Sequence, residues 1–575
     1  MGITGAELFV KALQCEQVDT LFAYPGGQAI DLFDALYGAG GIKMVLPRHE
    51  QGLIHAADGY ARSTGKVGVC LVTSGPGATN LVTGIATANY DSVPLVCFTG
   101  QVSLSLIGND AFQEADIVGI TRNISKWSVT VRRREDLGSI IKKAFYIART
   151  GKPGVVVVDL PKNIQLETGS DEYPDTIDIR SYKPNTEVHI GQVKRAVRVM
   201  KKAEKPVFLI GGGVNIAHAG EAMTALAEQT GIPVVTTIMG KGAIPTDHPL
   251  YVGNLGIHGC YAANAAVDEC DVLVSIGSRF NDRITGKVDE FAKHAKIIHI
   301  DIDTASISRN IEVDIPIVGD AGNAIKSLSE YMLKLATDEW LDRINGWKKQ
   351  YPLSDSQDDG PGLTPRKIIH EINTLFPEAV ITTDVGQNQM WTTQYIELTR
   401  GKQMLTSGGL GTMGYGFPAA IGAKLGCPEK PVIAINGDGG VQMNIQELAT
   451  AVVYEVPVII CVLNNGYLGN VRQWQELFYG KRYSSTCLRR RVSCPEICDA
   501  PCENCPPFTP DFVKLAESYG ARGIRVEKPE DIAGALKTAA AEKKVPTLIE
   551  FIIDREENVM PMVPPGKTLE AVILS

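Results

Sequence analysis

A chain of 575 residues, 44% hydrophobic and 21% charged, exceeds a single hydrophobic core and implies three or four domains at about 150 residues each. A net charge of −9 with no long basic stripe argues against nucleic acid or an anionic membrane as partner. The longest apolar runs, such as VPVIICVL (456–463), are strand-length and fall well short of the ~20 residues that a membrane span requires.

The N-terminal MGITGAELFVKAL reads as a helix and not as a leader, so a cytoplasmic protein is expected. Short β-branched runs then alternate with helix-length segments at 67–75, 93–100, 154–161, 206–213, 270–278, 296–303, 379–386, 431–439, 456–465 and 546–553. Such unalternating runs predict parallel strands buried on both faces, and the repetition predicts α/β doubly wound domains. Two polar stretches, 165–187 and 351–362, break the pattern and read as interdomain connections. They divide the chain into three units at 1–165, 188–340 and 362–550, followed by a tail over 551–575.

The segment INGDGGVQMNIQELATAVVYEVPVIICVLNN (435–465) carries the most chemistry. Asp438 sits between glycines at a strand's carboxyl end, where α/β folds place ligands, and a helix is expected to follow and offer its N-terminus to phosphate. The next strand ends in Asn464 and Asn465. One carboxylate with amide and carbonyl oxygens suits Mg²⁺, which takes few protein ligands and completes its octahedron with phosphate and water. Either half alone would pass for an Asx-turn or a loop Asn pair. In this order they resemble the diphosphate–metal motif of thiamin-diphosphate (ThDP) enzymes. That resemblance implies Mg²⁺ on Asp438, Asn465 and the Tyr467 carbonyl, with Gly437, Gly439, Gly440, Met443, Leu468 and Gly469 around the diphosphate.

The remaining ThDP machinery has matching positions. Glu50, in PRHEQGLIHAADGYAR (47–62), occupies the family's activating glutamate position. A buried carboxyl with a raised pKa can share a proton with N1′ of the aminopyrimidine; a glutamate merely favouring a helix N-terminus is the plainer alternative. From end to end the chain is similar to the acetolactate (acetohydroxyacid) synthase catalytic subunits. The resemblance implies Gly27 of YPGGQAIDLFDAL near the reacting carbon, Phe112 and Gln113 beside the substrate, Lys162 near the channel, Met413 holding ThDP in its V shape, and Trp474 selecting the second 2-keto acid. Pro76, Asn80, Val385, Gly386, Gln387, Asn388 and Gly411 complete the expected ThDP contacts.

In the middle unit, Gly211, Gly212, Gly213, Gly256, Ile257, His258, Gly259, Ser278, Arg279, Asn281, Arg283, Asp301, Ile302 and Asp320, with Lys152, resemble the site of a structural FAD. The implied enzyme decarboxylates pyruvate on ThDP and passes the two-carbon unit to pyruvate or 2-oxobutanoate, in valine, leucine and isoleucine biosynthesis. It implies a homodimer or higher oligomer with interfacial active sites, and leaves open whether a small regulatory subunit binds. Alternatives are another ThDP carboligase or oxidase, such as sulfoacetaldehyde acetyltransferase or pyruvate oxidase. Several residues depart from the family pattern: Asn470 for a methionine, Asn388 for a histidine, Asn281 for an aspartate and Lys152 for an arginine.

Twelve cysteines are many for a cytosolic chain. Five of them (Cys487, Cys494, Cys498, Cys502 and Cys505) crowd an insert at 487–508, where related chains have only a few residues. Four thiolates could hold Zn²⁺ or an iron–sulfur cluster; an unliganded loop or a reversible disulfide are the alternatives. A metal sensor on an inactive enzyme scaffold is the reading from a different functional class.

Overall fold

A computed structural model describes residues 2–353 and 362–574. Three six-stranded parallel sheets follow one another along the chain. The first runs, in spatial order, Lys43–Val45, Thr20–Ala23, Gly68–Val72, Leu95–Gln101, Val155–Pro161 and Trp127–Thr130. The third repeats that winding with Met404–Leu405, Val380–Thr383, Val432–Gly437, Ile459–Asn464, Thr547–Ile552 and Arg522–Val526. The middle sheet differs: Tyr251–Asn254, Val234–Thr236, Pro206–Ile210, Val272–Ile276, Lys296–Asp301 and Ile315–Val318. Numbered along the chain, its strands order 3-2-1-4-5-6, the dinucleotide-binding arrangement, whereas the outer two order 2-1-3-4-6-5.

The central strands are buried along their whole length, as their Val/Ile-rich runs require. Each sheet separates two apolar layers, for example Val69, Leu71, Val96 and Phe98 on one face and Cys70, Val72, Leu95 and Cys97 on the other. The stretch 165–187 is more than a connection. Thr168–Gly169 pairs antiparallel with Ile3–Thr4, and the Arg134 guanidinium bonds the carbonyls of Ile3, Thr4, Glu167 and Ser170. Most of the second polar stretch, residues 354–361, lies outside the described residues.

Helices Glu50–Thr64 and Gly416–Gly426 cross at backbone contact between the first and third sheets' layers. A Cβ on Gly59 would lie 2.0 Å from the Ala419 carbonyl oxygen, and one on Gly422 would lie 1.8 Å from that of Ala56. Only glycine allows this approach. Glu447, buried on helix Glu447–Val453, accepts the N–H groups of Arg48 (3.0 Å) and His49 (3.0 Å), just ahead of the first turn of helix Glu50–Thr64. A side chain of the third unit thus closes the helix start that carries Glu50.

Candidate active site

Two clusters form at the carboxyl ends of the outer sheets. In the first, Glu50 opens its helix and its Oε2 accepts from Asn80 Nδ2 at 2.9 Å. A Cβ on Gly77 would approach Glu50 Oε1 to 3.5 Å, and one on Gly75 would strike the Gln113 carbonyl at 2.8 Å. Gln113 takes a left-handed backbone, φ 60°, an uncommon conformation for a side-chain-bearing residue. Lys162 Nζ donates to the Gly27 carbonyl at 3.1 Å and pairs with Asp31 at 2.6 Å. This brings Gly27, Glu50, Pro76, Asn80, Gln113 and Lys162 to one sheet end. Glu50, expected to be buried, is half-buried here, and Phe112 is 84% exposed.

The second cluster gathers four turns. Asp438 is buried at the sheet's switch point, where Val380–Thr383 and Val432–Gly437 diverge. Its Oδ2 accepts the Gly466 N–H at 2.9 Å, yet burial pushes its pKa up to about 7. A carboxylate so placed needs a cation to make its charge comfortable. Asn465 Oδ1 accepts from Tyr467 N–H at 3.0 Å, and its Nδ2 donates to Gln387 Oε1 at 3.1 Å. Asn388 donates to the carbonyls of Asp384 and Ile435, with its oxygen toward Gly437. Met413 Cε lies 3.7 Å from where a Gly439 Cβ would stand, and a Cβ on Gly411 would touch Val385. Gly437 and Gly439 leave a cradle that side chains would fill, and this donor set fits a divalent cation with a diphosphate.

The helix expected over 444–452 is present as Glu447–Val453, preceded by a short helical turn, Asp438–Val441, and a 3₁₀ turn at Gln442–Asn444. Asn444 Nδ2 binds the Gly414 carbonyl at 2.7 Å within the 3₁₀ turn. Met443 is half-exposed beside Gly414.

Sequence reading missed three organising residues. Asp384, fully buried and pushed up to about 6 by burial, accepts the N–H groups of Val385, Gly414 and Gly416, fixing the Gly411–Met413 turn. Gln473 and Arg472 bind the tail: Gln473 Nε2 donates to the Val559 carbonyl, and Arg472 donates to the carbonyls of Glu556 and Glu557. Only Asp384 had a legible signal, an aspartate ending an apolar strand. On helix Gly469–Tyr479, Asn470 and Trp474 share a face. Both have buried polar atoms, Oδ1 and Nε1, with no hydrogen-bond partner.

In the middle unit, the Gly211 turn and the Gly277–Ser278 turn meet at the switch point between Pro206–Ile210 and Val272–Ile276, and Cβ atoms on Gly211 or Gly213 would strike Gly277. Gly212 opens the short helix Gly212–Ile216 beside them. Ile257 N–H binds the Arg283 carbonyl at 2.9 Å, and Gly259 closes that loop onto Gly256. His258 Nδ1 and Asn281 Oδ1 are buried without partners. Lys152 pairs with Asp303 at 3.0 Å on a cavity of about 330 Å³ also lined by Ile302. Burial pushes neighbouring Asp301 up to about 6. These residues fit a dinucleotide cofactor. Asp320 is engaged otherwise, capping helix Ala321–Tyr331 through Gly322 and Asn323. Ser278 offers its carbonyl to His299, and the Arg279 guanidinium reaches toward Gly409.

Among the described residues, no three His, Cys, Asp or Glu side chains gather to hold a metal ion. The insert's thiols are not gathered into a four-thiolate set among the described residues; Cys494 and Cys498 bond local backbone and Cys487 accepts from Arg555. No helix among the described residues is long and apolar enough to cross a membrane.

The chain matches known proteins along most of its length. Family models described as the N-terminal TPP-binding, central, and C-terminal TPP-binding domains of thiamine pyrophosphate enzymes match residues 3–120, 193–328 and 384–551. The chain is 47% identical to a probable acetolactate synthase large subunit of Methanocaldococcus jannaschii, covering 99% of this chain and 95% of that one. It is 44% identical to the acetolactate synthase large subunit of Haemophilus influenzae, covering 100% and 98%. It is 46% identical to that of Corynebacterium glutamicum, covering 98% and 89%.

Proposed function

The chain belongs to the thiamine pyrophosphate enzymes and, within them, to the acetolactate synthase large subunits, and from that premise we propose how its residues divide the work of joining two 2-keto acids. As a ThDP-dependent acetolactate synthase it serves branched-chain amino acid biosynthesis. Bound ThDP supplies the electron sink through which pyruvate loses CO₂. Asp438, Asn465 and the Tyr467 carbonyl hold Mg²⁺ against the diphosphate, while Gly437, Gly439 and Gly440 let backbone N–H groups approach it. The observation that carries this assignment is the buried Asp438 carboxylate at the switch point, with Gly466, Asn465 and Tyr467 beside it.

Glu50 holds and moves the proton at N1′ of the aminopyrimidine, and Asn80 orients it. Gly27, Gln113 and Lys162 line the approach of pyruvate. Met413 shapes the seat of the cofactor. Trp474 and Asn470, with their unpartnered polar atoms, face the acceptor keto acid. The tail, bonded to Arg472 and Gln473, keeps water out. The Gly211–Gly213, Gly256–Gly259 and Gly277–Arg283 turns hold FAD as a structural element.

The active site is completed by a second copy. Glu50 and Asp438 occupy different sheet ends, and no described contact joins them. The open surface around Gly27 and Phe112 is where a partner's diphosphate cluster would dock. The three units divide at the polar stretches 165–187 and 351–362.

The test is NMR of the products from pyruvate with equimolar 2-oxobutanoate, ThDP, Mg²⁺ and FAD. Formation of 2-acetolactate and 2-aceto-2-hydroxybutanoate is expected, with the mixed product in excess. Acetate alone would instead indicate an oxidase.

A further inference from the structure

The insert is joined to the diphosphate loop at its root. Leu468 N–H binds the Thr486 carbonyl (2.9 Å), Leu488 N–H binds the Gly466 carbonyl (2.8 Å), and Leu488 Cδ1 stands 3.4 Å from where a Gly439 Cβ would lie. Arg555 links the same loop to the insert's far end. Its guanidinium lies 5.0 Å from the centroid of the Tyr467 ring and donates to Cys487 Sγ at 3.8 Å, and its charge acts on the Cys505 thiol.

Cys502 and Cys505 form a close pair. Cys505 N–H binds the Cys502 carbonyl at 3.1 Å in a reverse turn, Cys502 N–H donates to Cys505 Sγ at 3.3 Å, and the two sulfurs are 3.9 Å apart. A turn of this span keeps the Cα atoms under about 7 Å, within reach of a disulfide. Cys502 is exposed and Cys505 half-exposed, unlike Cys70, Cys97, Cys260, Cys270 and Cys461, which are buried. The Cys502 backbone N–H and Arg555 lower the Cys505 thiol to about 7, which favours the nucleophilic thiolate.

We propose that Cys502 and Cys505 are a redox-active dithiol that reacts with low-molecular-weight disulfides, and that its oxidation releases Arg555 and loosens the Tyr467 loop. The Cys505 thiolate attacks one sulfur of the oxidant; that S–S bond breaks and one thiol leaves, taking a proton. Cys502, giving up its own proton, then attacks the mixed disulfide and expels the second thiol. The pair loses two electrons and two protons, and one disulfide becomes two thiols. The consequence for cofactor binding rests on the assignment of Asp438, Asn465 and Tyr467 to the metal.

The full-length protein is equilibrated anaerobically in glutathione buffers of rising oxidised share, alkylated and peptide-mapped, and its half-saturation by ThDP with Mg²⁺ is measured in parallel. Expected is a Cys502–Cys505 disulfide formed before any other. Half-saturation should rise on the order of tenfold, the loss that one partly exposed charged contact gives. Both changes should reverse with dithiothreitol and be missing in Cys502→Ser and Cys505→Ser. A stable glutathione adduct, an unmodified pair, or a disulfide with unchanged half-saturation overturns the proposal. Reduced Asp438→Ala separates the two readings: if it still binds ThDP with Mg²⁺ normally, the metal assignment is what fails.

Discussion

Replacing Glu447 by alanine should open the helix that carries Glu50 without touching that residue. The Glu447 carboxylate accepts the Arg48 and His49 N–H groups at 3.0 Å each and the Thr450 hydroxyl at 2.6 Å. An unsatisfied buried donor costs about 1–3 kcal/mol, so two would cost about 2–6. Arg48 and His49 are half-buried, so water can reach them in part, and burial already raises the Glu447 pKa, which offsets part of the gain from its charge. These terms bring the net to about 2–4 kcal/mol. At about 1.4 kcal/mol per tenfold, amide exchange in peptides spanning 46–64 should quicken by about 30- to 700-fold. Peptides of the middle sheet provide the internal reference. Glu447→Gln keeps an acceptor and should fall between alanine and wild type. Exchange within about threefold of wild type would refute the inference that the third unit closes this helix.

Mixing inactive Glu50→Ala and Asp438→Ala chains, dissociated and reassociated, should restore about a quarter of the sites, since half the dimers are hybrids with one intact site each. No recovery would place both residues in one chain's site. Glu50→Gln should lower kcat by about 10²–10⁴, the span of general acid–base catalysis, while ThDP half-saturation moves far less. Asp159 is bonded to Thr99, Gln101 and Thr130, and burial pushes it up to about 7. Its folded pKa lies above the unfolded ~3.9, so its contribution to stability is complete below about pH 4 and lost as pH rises to about 7, on the order of 4 kcal/mol in all. Asp159→Asn should remove that slope from the pH dependence of the unfolding midpoint; an unchanged slope would count against an ionising Asp159. Lys152→Glu, which sets two carboxylates against each other at Asp303, should lower flavin bound per chain while leaving ThDP half-saturation unchanged.

The ten apolar runs read from sequence all became strands, because a strand covered on both faces must be apolar throughout. Every sheet edge escaped notice. Ile315–Val318 alternates buried and half-buried, Arg522–Val526 carries two arginines, and Met404–Leu405 is too short to signal anything. Thr20–Ala23 and Val234–Thr236, one place in from an edge, were also too short to stand out. At the candidate site, Asp438 and Asn465 were legible because glycine turns and strand ends are local features. Asp384, Glu447 and Gln473 act across 30 to 399 positions, and local pattern carries no trace of such pairings. The insert was legible as unusual, but its thiols alone could not reveal the contact of Cys487 with Arg555.

The Arg48–Glu447 contact also has a consequence in time. Its partners lie 399 positions apart, so at ~5–20 residues per second a ribosome needs about 20–80 s to supply the second after the first. For most of that interval the first sheet can assemble, but Gly59 has no Ala419 to meet and the Arg48 and His49 N–H groups have no Glu447 carboxylate to bind. The nascent N-terminal unit therefore emerges with an apolar helix face that its own later sequence must cover. Synthesis of this enzyme passes through a stage in which holding chaperones have most to protect.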